Sequence, residues 1–327
     1  MGESAMKHKY TITFLVWIAV LSLLPLLMQS DYDQHLCVTA LIYILMAQGL
    51  NICLGYCGQM SLGQAGFYAI GGYVFAICVQ KSGIPWFGAV LIAIALTTVV
   101  GLLLGMISLR VRGSSFIIIS ILFARVVHMI LLNWVEITNG QAGITALPGI
   151  PLFGTTLVSK TSIYYYVLFF VVVVQFLTGR LINSKIGRAF IAIKQDESLA
   201  TSLGISSYHF SLTAFVISVA VTAFAGAIHA SYAQMVSPEM ASFNNIMLYI
   251  IMMTVIGGRG TLWGPVLGAF LFTFLPEYLR VADMLRMPIF GMILILLVLF
   301  MPEGLIPKFF AIVHKMQASK IRKTEAK

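Results

Sequence analysis

The sequence predicts an all-α fold: a polytopic integral membrane protein of about ten transmembrane helices with both termini in the cytoplasm. Three observations predict it: the apolar composition, ten separate apolar stretches, and an uneven distribution of cations among the segments that connect them. Of the 327 residues, 60% are hydrophobic and 9% are charged, whereas soluble domains average about 45–50% apolar and about 25% charged residues. A chain with so few polar residues cannot cover the surface of a soluble protein of this length.

Each predicted transmembrane helix is an apolar stretch that must cross about 30 Å of hydrocarbon with its backbone hydrogen bonds satisfied internally. In chain order the ten stretches are 11–28, 36–54, 62–80, 86–109, 116–133, 163–180, 210–232, 244–256, 262–279 and 287–301. The eighth stretch is short, and the third and ninth contain many glycines. Those three stretches therefore depart most from a simple membrane-spanning helix.

The connecting segments sort by charge when the amino terminus is placed in the cytoplasm. Fifteen of the twenty lysines and arginines then lie on the cytoplasmic side. Four lie outside, namely Lys81, Lys160, Arg280 and Arg286, and Arg125 lies within a span. This asymmetry is the one that the positive-inside rule requires, and an odd number of spans would destroy it.

The predicted organisation is one transmembrane domain over residues 1–310 followed by a basic cytoplasmic tail over 311–327. The cations between Lys308 and Lys327 favour attachment of the tail to anionic lipid of the inner leaflet. The tail has no aromatic-rich surface of the kind that binds nucleic acid, so no nucleic-acid partner is expected. The predicted location is a plasma membrane, with both termini on its cytoplasmic side.

Motifs for catalysis and for cofactor binding are absent. The sequence has no GxxxxGK[ST] phosphate loop, HExxH, CxxC or GxSxG motif. Cys53 and Cys57 are four residues apart, but no histidine or carboxylate is near enough in sequence to complete a metal site, so apolar packing is the expected role. His229 is similarly expected to be a hydrogen-bonded interior histidine. The chain is therefore predicted to be neither an enzyme nor a metal or cofactor protein.

The first glycine-rich interruption runs from Gly55 to Tyr73 and is a candidate pathway for a solute. It places the polar side chains of Gln59, Ser61 and Gln64 among several glycines, including Gly63. Unwound or closely packed backbone is tolerated at membrane depth only where it faces protein or a water-filled cavity. The alternative is that the segment only packs helices together.

The second interruption, from Gly257 to Phe270, predicts close helix packing. Gly260, Gly264 and Gly268 are spaced four apart, a doubled GxxxG face that allows two helices to approach closely. A pathway role remains the alternative here too.

The longest cytoplasmic connection between spans, residues 182–209, is predicted to be amphipathic and helical. Apolar residues recur at helical spacing before and after a polar break at Asp196 and Glu197, and Gly204 is placed to end the helix. Such a segment could rest on lipid, on its own bundle or in a groove of a soluble partner. The pattern alone leaves these three alternatives open.

These segments resemble the permease subunits of branched-chain amino acid ABC importers, specifically the LivM type. The likeness covers about residues 50–308 in five blocks that follow the family's order. The blocks are NICLGYCGQMSLGQAGFYAIGGY, SLRVRGSSF with LLNWVEITNGQAGITALPGIP, IGRAFIAIKQDESLATSLGIS, VSPEMASFNNIMLYIIMMTVIGGRGTLWGPVLGAFLF and LFMPEGLIP.

The resemblance implies a pathway subunit for branched-chain or other hydrophobic amino acids. Its implied partners are a second permease of the LivH type, two cytoplasmic ATP-binding subunits and an extracytoplasmic solute-binding protein. It also implies that the 182–209 connection is an EAA-type coupling segment that docks on the ATPase. Glu197, Ala200 and Gly204 match that pattern, and Arg188 and Asp196 flank it.

The chain departs from the family in its fifth span. Many relatives read FGEIIR where this chain reads FARVVH, so Arg125 replaces the usual glutamate and His128 the usual arginine. Both residues are pathway candidates. Arg125 either pairs with an acidic group, such as a substrate carboxylate or a residue of the partner permease, or it reaches the headgroups or joins a structural polar pair.

Three alternatives to this function remain open. A relative that carries urea or short amides would share the same motifs. An ion-coupled secondary transporter would need acidic residues within the membrane, whereas every acidic residue here can be placed at or beyond the end of a span. A structural or lipid-handling subunit would need no polar pathway residues such as Gln59, Ser61 and Gln64.

Overall fold

A computed structural model describes residues 17–25, 28, 30–111, 113–152, 155–157, 159–279, 291–292, 295–296, 299 and 304–308. The described chain is almost entirely helical. Its helices are α1 (17–25), α2 (Asp31–Leu50), α3 (Gln64–Gln80), α4 (Trp86–Ser108), α5 (Ser114–Asn133), α6 (Val135–Thr138), α7 (Lys160–Asn183), α8 (Lys185–Gln195), α9 (Glu197–Ser202), α10 (Ser207–Ala233), α11 (Leu248–Gly258), α12 (Gly264–Tyr278) and α13 (305–308).

Shorter elements complete the described structure. Two π-helical turns, Asn51–Tyr56 and Phe243–Met247, extend α2 and precede α11, and two 3-10 turns cover Gly140–Ala142 and Pro238–Ala241. The strands Pro151–Leu152 and Thr155–Thr156 form an antiparallel pair, with Pro151 opposite Thr156 and Leu152 opposite Thr155. The fold is thus a helical membrane bundle with one small hairpin in a connecting segment.

Five described helices are long and apolar enough to cross a bilayer, which makes the chain a multi-pass membrane protein. They are Asp31–Tyr56, Trp86–Ser108, Ser114–Asn133, Lys160–Asn183 and Ser207–Ala233, and Phe243–Gly258 is a shorter apolar helix. Each lies on a predicted span. Residues 17–25 of the first predicted span are helical, whereas most of the tenth span, both termini and the tail at 311–327 lie outside the described residues.

The core of the bundle is α2, which packs against α7, α10, α11 and α12. Its second half is completely enclosed: Leu41, Leu45 and Met46 have no exposed surface. By contrast, α4 and α5 expose many large apolar side chains, among them Leu91, Leu103 and Met129. The peripheral helices therefore offer surfaces to lipid or to another protein, while α2 is shielded from both.

The connecting segments gather at two ends of the bundle. At the inner end, Lys194 of α8 contacts the backbone of Gly55. At the outer end, Lys81 Nζ donates to the carbonyl of Glu136 at 2.9 Å, and Lys160 Nζ lies 3.7 Å from Asp31 Oδ2. We call these the inner and outer ends, after the sides that the charge distribution predicts for their connecting segments.

Candidate functional site

The 182–209 connection folds as two short helices, as its periodicity predicts. Ser184 begins α8 by accepting a hydrogen bond from Gly187 N at 3.3 Å. Asp196 has an extended backbone, with φ −156° and ψ 108°, and its Oδ1 accepts a hydrogen bond from Leu199 N at 2.9 Å. The polar break is therefore the cap that separates α8 from α9.

The two faces of this connection differ sharply in exposure. Phe190 and Ile193 are buried against the bundle, whereas Leu199 is 59% exposed and Leu203 is 74% exposed. Gly204 follows with φ +83°, and a Cβ at that position would meet no atom within 4 Å. The positive φ explains why glycine ends α9, and the open space leaves Leu203 free to contact a partner.

The five predicted coupling residues lie on this one connection but in different environments. Arg188 and Asp196 are exposed, and Gly204 is also exposed. Glu197 is half-buried and its carboxylate accepts a hydrogen bond from Ser207 Oγ at 2.6 Å, while Ala200 is buried. Glu197 therefore also holds the start of α10.

Lys194, which motif comparison did not single out, ties the connection to α2. Its Nζ donates to Gly55 O at 2.6 Å. Burial, together with the nearby Arg259, lowers the pKa of the Lys194 ammonium below its ordinary value. Displacement of α8 is thereby linked to the inner end of the most enclosed helix of the bundle.

Asn51 forms a second tie at the inner end. Its Oδ1 accepts a hydrogen bond from Gly260 N at 2.8 Å, and its Nδ2 donates to Thr261 O at 2.9 Å. These two bonds join the π-helical end of α2 to the turn between α11 and α12. No local sequence signal identifies this role, because the partners are about 210 residues away in sequence.

The first glycine-rich interruption is divided between a cleft and the core. Gln59 is half-buried in a cavity of about 210 Å³ that Arg110, Glu197, Ser207 and Ser211 also line, among others. Ser61, Gly63 and Gln64 are instead completely buried. Of the four predicted pathway residues in this interruption, only Gln59 therefore faces open space.

Gln64 has hydrogen-bond partners within the protein for both ends of its amide. Nε2 donates to Ser218 Oγ at 2.8 Å, and Oε1 accepts from Thr222 Oγ1 at 2.9 Å. Ser218 Oγ in turn donates to Gly49 O at 2.6 Å. This network connects α3, α10 and α2, so it favours the packing alternative for Gln64.

The second glycine-rich interruption packs helices at two of its three positions. A Cβ at Gly264 would fall on the Gly258 carbonyl, and a Cβ at Gly268 would fall on the Met253 carbonyl, so both residues lie where α12 crosses α11. Gly260 is not on this helix. It lies in the preceding turn with φ +76°, against Gly55, because α12 begins only at Gly264.

Arg125 and His128 lie on the accessible side of α5. Arg125 is exposed, one turn from exposed Leu122 and Met129, and it forms no ion pair with another described residue. His128 Nδ1 is 2.9 Å from Pro238 O. An arginine near the middle of an apolar span costs roughly 2.5–3.5 kcal/mol on insertion scales, so this face of α5 requires a polar counterpart.

The segment that contacts His128 reaches below the outer surface of the bundle. Residues 236–247, here called the outer turn, begin with an antiparallel bridge between Ile144 and Val236. Met240 and Val236 then contact the position of Gly72, halfway along α3, which is about 12 Å from the outer end of that helix at 1.5 Å per residue. The sequence allows Glu239 to be placed at or beyond the end of a span, whereas the turn that carries it packs beside the middle of α3.

Polar side chains cluster on the exposed side of the outer turn. Glu239 and Asn245 are exposed, and Asn245 Nδ2 donates to Glu239 Oε2 at 2.8 Å. No group of three metal-ligating side chains occurs among the residues that the structure describes. The exposed side of the outer turn therefore carries one carboxylate, whose described hydrogen-bond donor is the neutral amide of Asn245.

Comparison with known proteins identifies the family. Residues 34–301 match the family model described as the permease component of branched-chain amino acid transport systems. The chain is 33% identical to the high-affinity branched-chain amino acid transport permease LivM of Escherichia coli, over 93% of this chain and 76% of that protein. It is also 27% identical to BraD of Pseudomonas aeruginosa, over 81% of this chain and 91% of that one.

The LivH permease of Escherichia coli matches more distantly, at 25% identity over 81% of this chain and 91% of that protein. No solved structure matches the chain significantly. The matched proteins are transport subunits and not enzymes, which confirms the resemblance to the LivM type. The chain therefore belongs to the family of permease components of branched-chain amino acid transport systems.

Proposed function

We propose that this chain is the LivM-type permease subunit of an ATP-driven importer for branched-chain or other hydrophobic amino acids in a bacterial inner membrane. Its relatives carry branched-chain amino acid transport in their names. Because LivM and LivH permeases both match the chain, a LivH-like second permease is the proposed partner across the pathway. Two ATP-binding subunits and a solute-binding protein complete the importer, which needs no cofactor on this chain.

The proposed topology has ten spans and two cytoplasmic termini. The gathering of Lys185, Arg188 and Lys194 at the same end as Arg110 and Arg259 supports it, because cations are retained on the cytoplasmic side. The transmembrane domain is proposed to cover residues 1–310, with the tail at 311–327 resting on anionic lipid.

The observation that carries the proposal is the exposed apolar face of α9 at the inner end. Leu199 and Leu203 are largely exposed on a connection that Phe190 and Ile193 anchor to the bundle. Such a face fits a groove of a soluble partner. ATP-driven closure of the partner would displace α8 and α9, and Lys194 would pass the displacement to α2.

The solute pathway is proposed to follow the accessible side of α5, past Arg125 and His128, and to leave near Gln59 at the inner end. Gln59 lines the inner cavity. Ser61, Gly63 and Gln64 are proposed to hold α3 against its neighbours, since Gln64 bonds to α10 on both ends of its amide.

The experiment introduces charge into the apolar face and measures assembly. Leu199→Glu with Leu203→Glu is expected to lower the amount of ATP-binding subunit that co-purifies with the permease by at least about tenfold, since two buried leucines contribute roughly 1.5–3 kcal/mol each. Val135→Glu is the matched control, because Val135 is 62% exposed at the outer end. Undiminished co-purification of the double variant would refute the coupling proposal.

One observation favours a second candidate function, an ion-coupled secondary transporter. Glu239 lies in the outer turn, beside the middle of α3, and intramembrane carboxylates serve ion coupling. Vesicles that contain the permease without ATP-binding subunits distinguish the two: accumulation of leucine on a proton or sodium gradient would support the transporter. Uptake of urea or acetamide in preference to leucine by the complete importer would instead support the alternative substrates.

A further inference from the structure

Arg125 lies on the exposed face of α5, far from both ends of the helix. It is eight residues from the outer end of α5 and eleven from the inner end, which corresponds to about 12 Å and about 16 Å along the helix. Leu122, Val126 and Met129 on adjacent turns are more than half exposed. The guanidinium therefore stands near the middle of an otherwise apolar face, where a stable position requires an anion or water.

Glu239 lies at a similar depth and on the neighbouring element. The 3-10 turn Pro238–Ala241 packs against both α3 and α5, and His128 Nδ1 bonds to Pro238 O. His128 is one helical turn from Arg125, and Glu239 follows Pro238 directly. Side chains one helical turn apart are about 5–6 Å apart, so Arg125 and Glu239 both lie next to the contact between His128 and Pro238.

Both charges are left without a counter-ion in the described part of the chain. The carboxylate of Glu239 accepts only the neutral amide of Asn245, at 2.8 Å, and neither Glu239 nor Arg125 has an ion-pair partner there. An acidic residue of a second subunit would pair with Arg125 but would leave the carboxylate of Glu239 without a cation. A free amino acid carries one anionic and one cationic group on the same carbon, so it satisfies both.

We propose that Arg125 and Glu239 form a zwitterion site, in which Arg125 binds the carboxylate and Glu239 the ammonium group of the amino acid on its way through the membrane. The inference rests on the proposed importer function for the identity of the solute. Asn245 orients Glu239, and the bond from His128 to Pro238 holds the outer turn against α5. The apolar residues around Arg125 would then contact the side chain of the amino acid.

The test is photo-crosslinking of the purified importer with a diazirine analogue of leucine, which retains both charged groups. Label on wild-type α5 or on the outer turn is expected. Leucine should suppress the labelling at concentrations at least about tenfold lower than two competitors that each lack one charge. Leucinamide lacks the carboxylate and 4-methylpentanoate lacks the ammonium group, so each loses charge-assisted hydrogen bonds to the site. Absence of label from both elements would overturn the proposal.

Substitution of Arg125 and substitution of Glu239 should each change the competition pattern in a different way. In Arg125→Gln, leucine and leucinamide should compete equally, and Arg125→Lys should restore the preference for leucine. In Glu239→Gln, leucine and 4-methylpentanoate should compete equally. A wild-type competition pattern in either glutamine variant would overturn the proposal.

Matched controls remove charges of the same sign elsewhere at the outer end. Lys160→Gln and Glu136→Gln should retain the wild-type pattern, since Lys160 faces Asp31 and Glu136 is exposed on α6. The labelling needs no ATP. Loss of ATP-binding subunits from the wild-type complex would count against the importer function, whereas the competition pattern alone decides the zwitterion site.

Discussion

Replacement of Asn51 by leucine tests whether the inner end of α2 is tied to the turn between α11 and α12. Asn51 is completely buried. Its side chain makes two hydrogen bonds across about 210 residues of sequence, one with Gly260 N at 2.8 Å and one with Thr261 O at 2.9 Å. Leucine has a similar volume, so the change removes the bonds while leaving the space filled.

The expected loss of stability follows from the two backbone groups that remain. Each buried group left without a partner costs about 1–3 kcal/mol. Gly260 and Thr261 are only half-buried, so water reaches part of this turn and the lower half of that range applies. Asn51→Leu is therefore expected to lower the free energy of unfolding by about 2–4 kcal/mol.

Equilibrium unfolding in mixed detergent micelles, titrated with SDS, measures this difference. Asn51→Asp keeps the acceptor and loses the donor, so it should also lower the free energy of unfolding. Asn133→Leu is the matched control, because Asn133 is exposed and bonds only to Met129 O within its own helix. A free energy of unfolding for Asn51→Leu within about 0.5 kcal/mol of wild type would refute the tie.

Three further substitutions, the first with a matched control, test neighbouring contacts. Gly268→Ala should lower the free energy of unfolding by about 1–3 kcal/mol in the same SDS titration, because its Cβ falls on the Met253 carbonyl. Gly179→Ala is its control: the nearest atom to the added Cβ is 3.7 Å away, so this change should raise the free energy of unfolding by about 0.4–1 kcal/mol. Lys194→Met should leave ATP hydrolysis by the importer intact but reduce leucine uptake into proteoliposomes severalfold, because α8 loses its bond to α2; equal uptake would contradict the link. Gln64→Met should lower stability by about 1–2 kcal/mol and leave the order of preference among transported amino acids unchanged.

Hydropathy located the five described helices that are long and apolar enough to cross a bilayer, because the hydrocarbon core imposes one requirement on every crossing segment. The ends of the helices differ from the ends of the apolar stretches for local reasons. The predicted span 163–180 is the longer helix Lys160–Asn183, since hydropathy does not register the polar turns by which a helix extends beyond the hydrocarbon. Conversely, the predicted span 262–279 begins as a helix only at Gly264, because Thr261 and the positive φ of Gly258 and Gly260 form a turn first.

The residues of the candidate sites were predictable only where a side chain differs in polarity from its neighbours in the sequence. Arg125 stands out as a cation in an apolar stretch, and Asp196 stands out as a polar break in a helical pattern. Lys194 does not stand out, since its partner Gly55 is 139 residues away. Glu239 does not stand out either, because a connection of about ten residues between two spans gives no sign of whether it runs over the end of the bundle or packs between its helices.

The described contacts also bear on how a displacement at the inner end would reach the outer turn. Lys194 bonds to the π-helical end of α2, and α2 is enclosed by four helices along its second half. A close-packed helix of this kind shifts as a unit, because bending it would open voids around side chains such as Leu45. The α5 helix is held mainly by α3 and by the outer turn, so a shift of α2 changes the distance between the core and α5. Under the proposed function, α5 and the outer turn, which the contact between His128 and Pro238 joins, would move together relative to α2, so the proposed pathway along α5 would change in width.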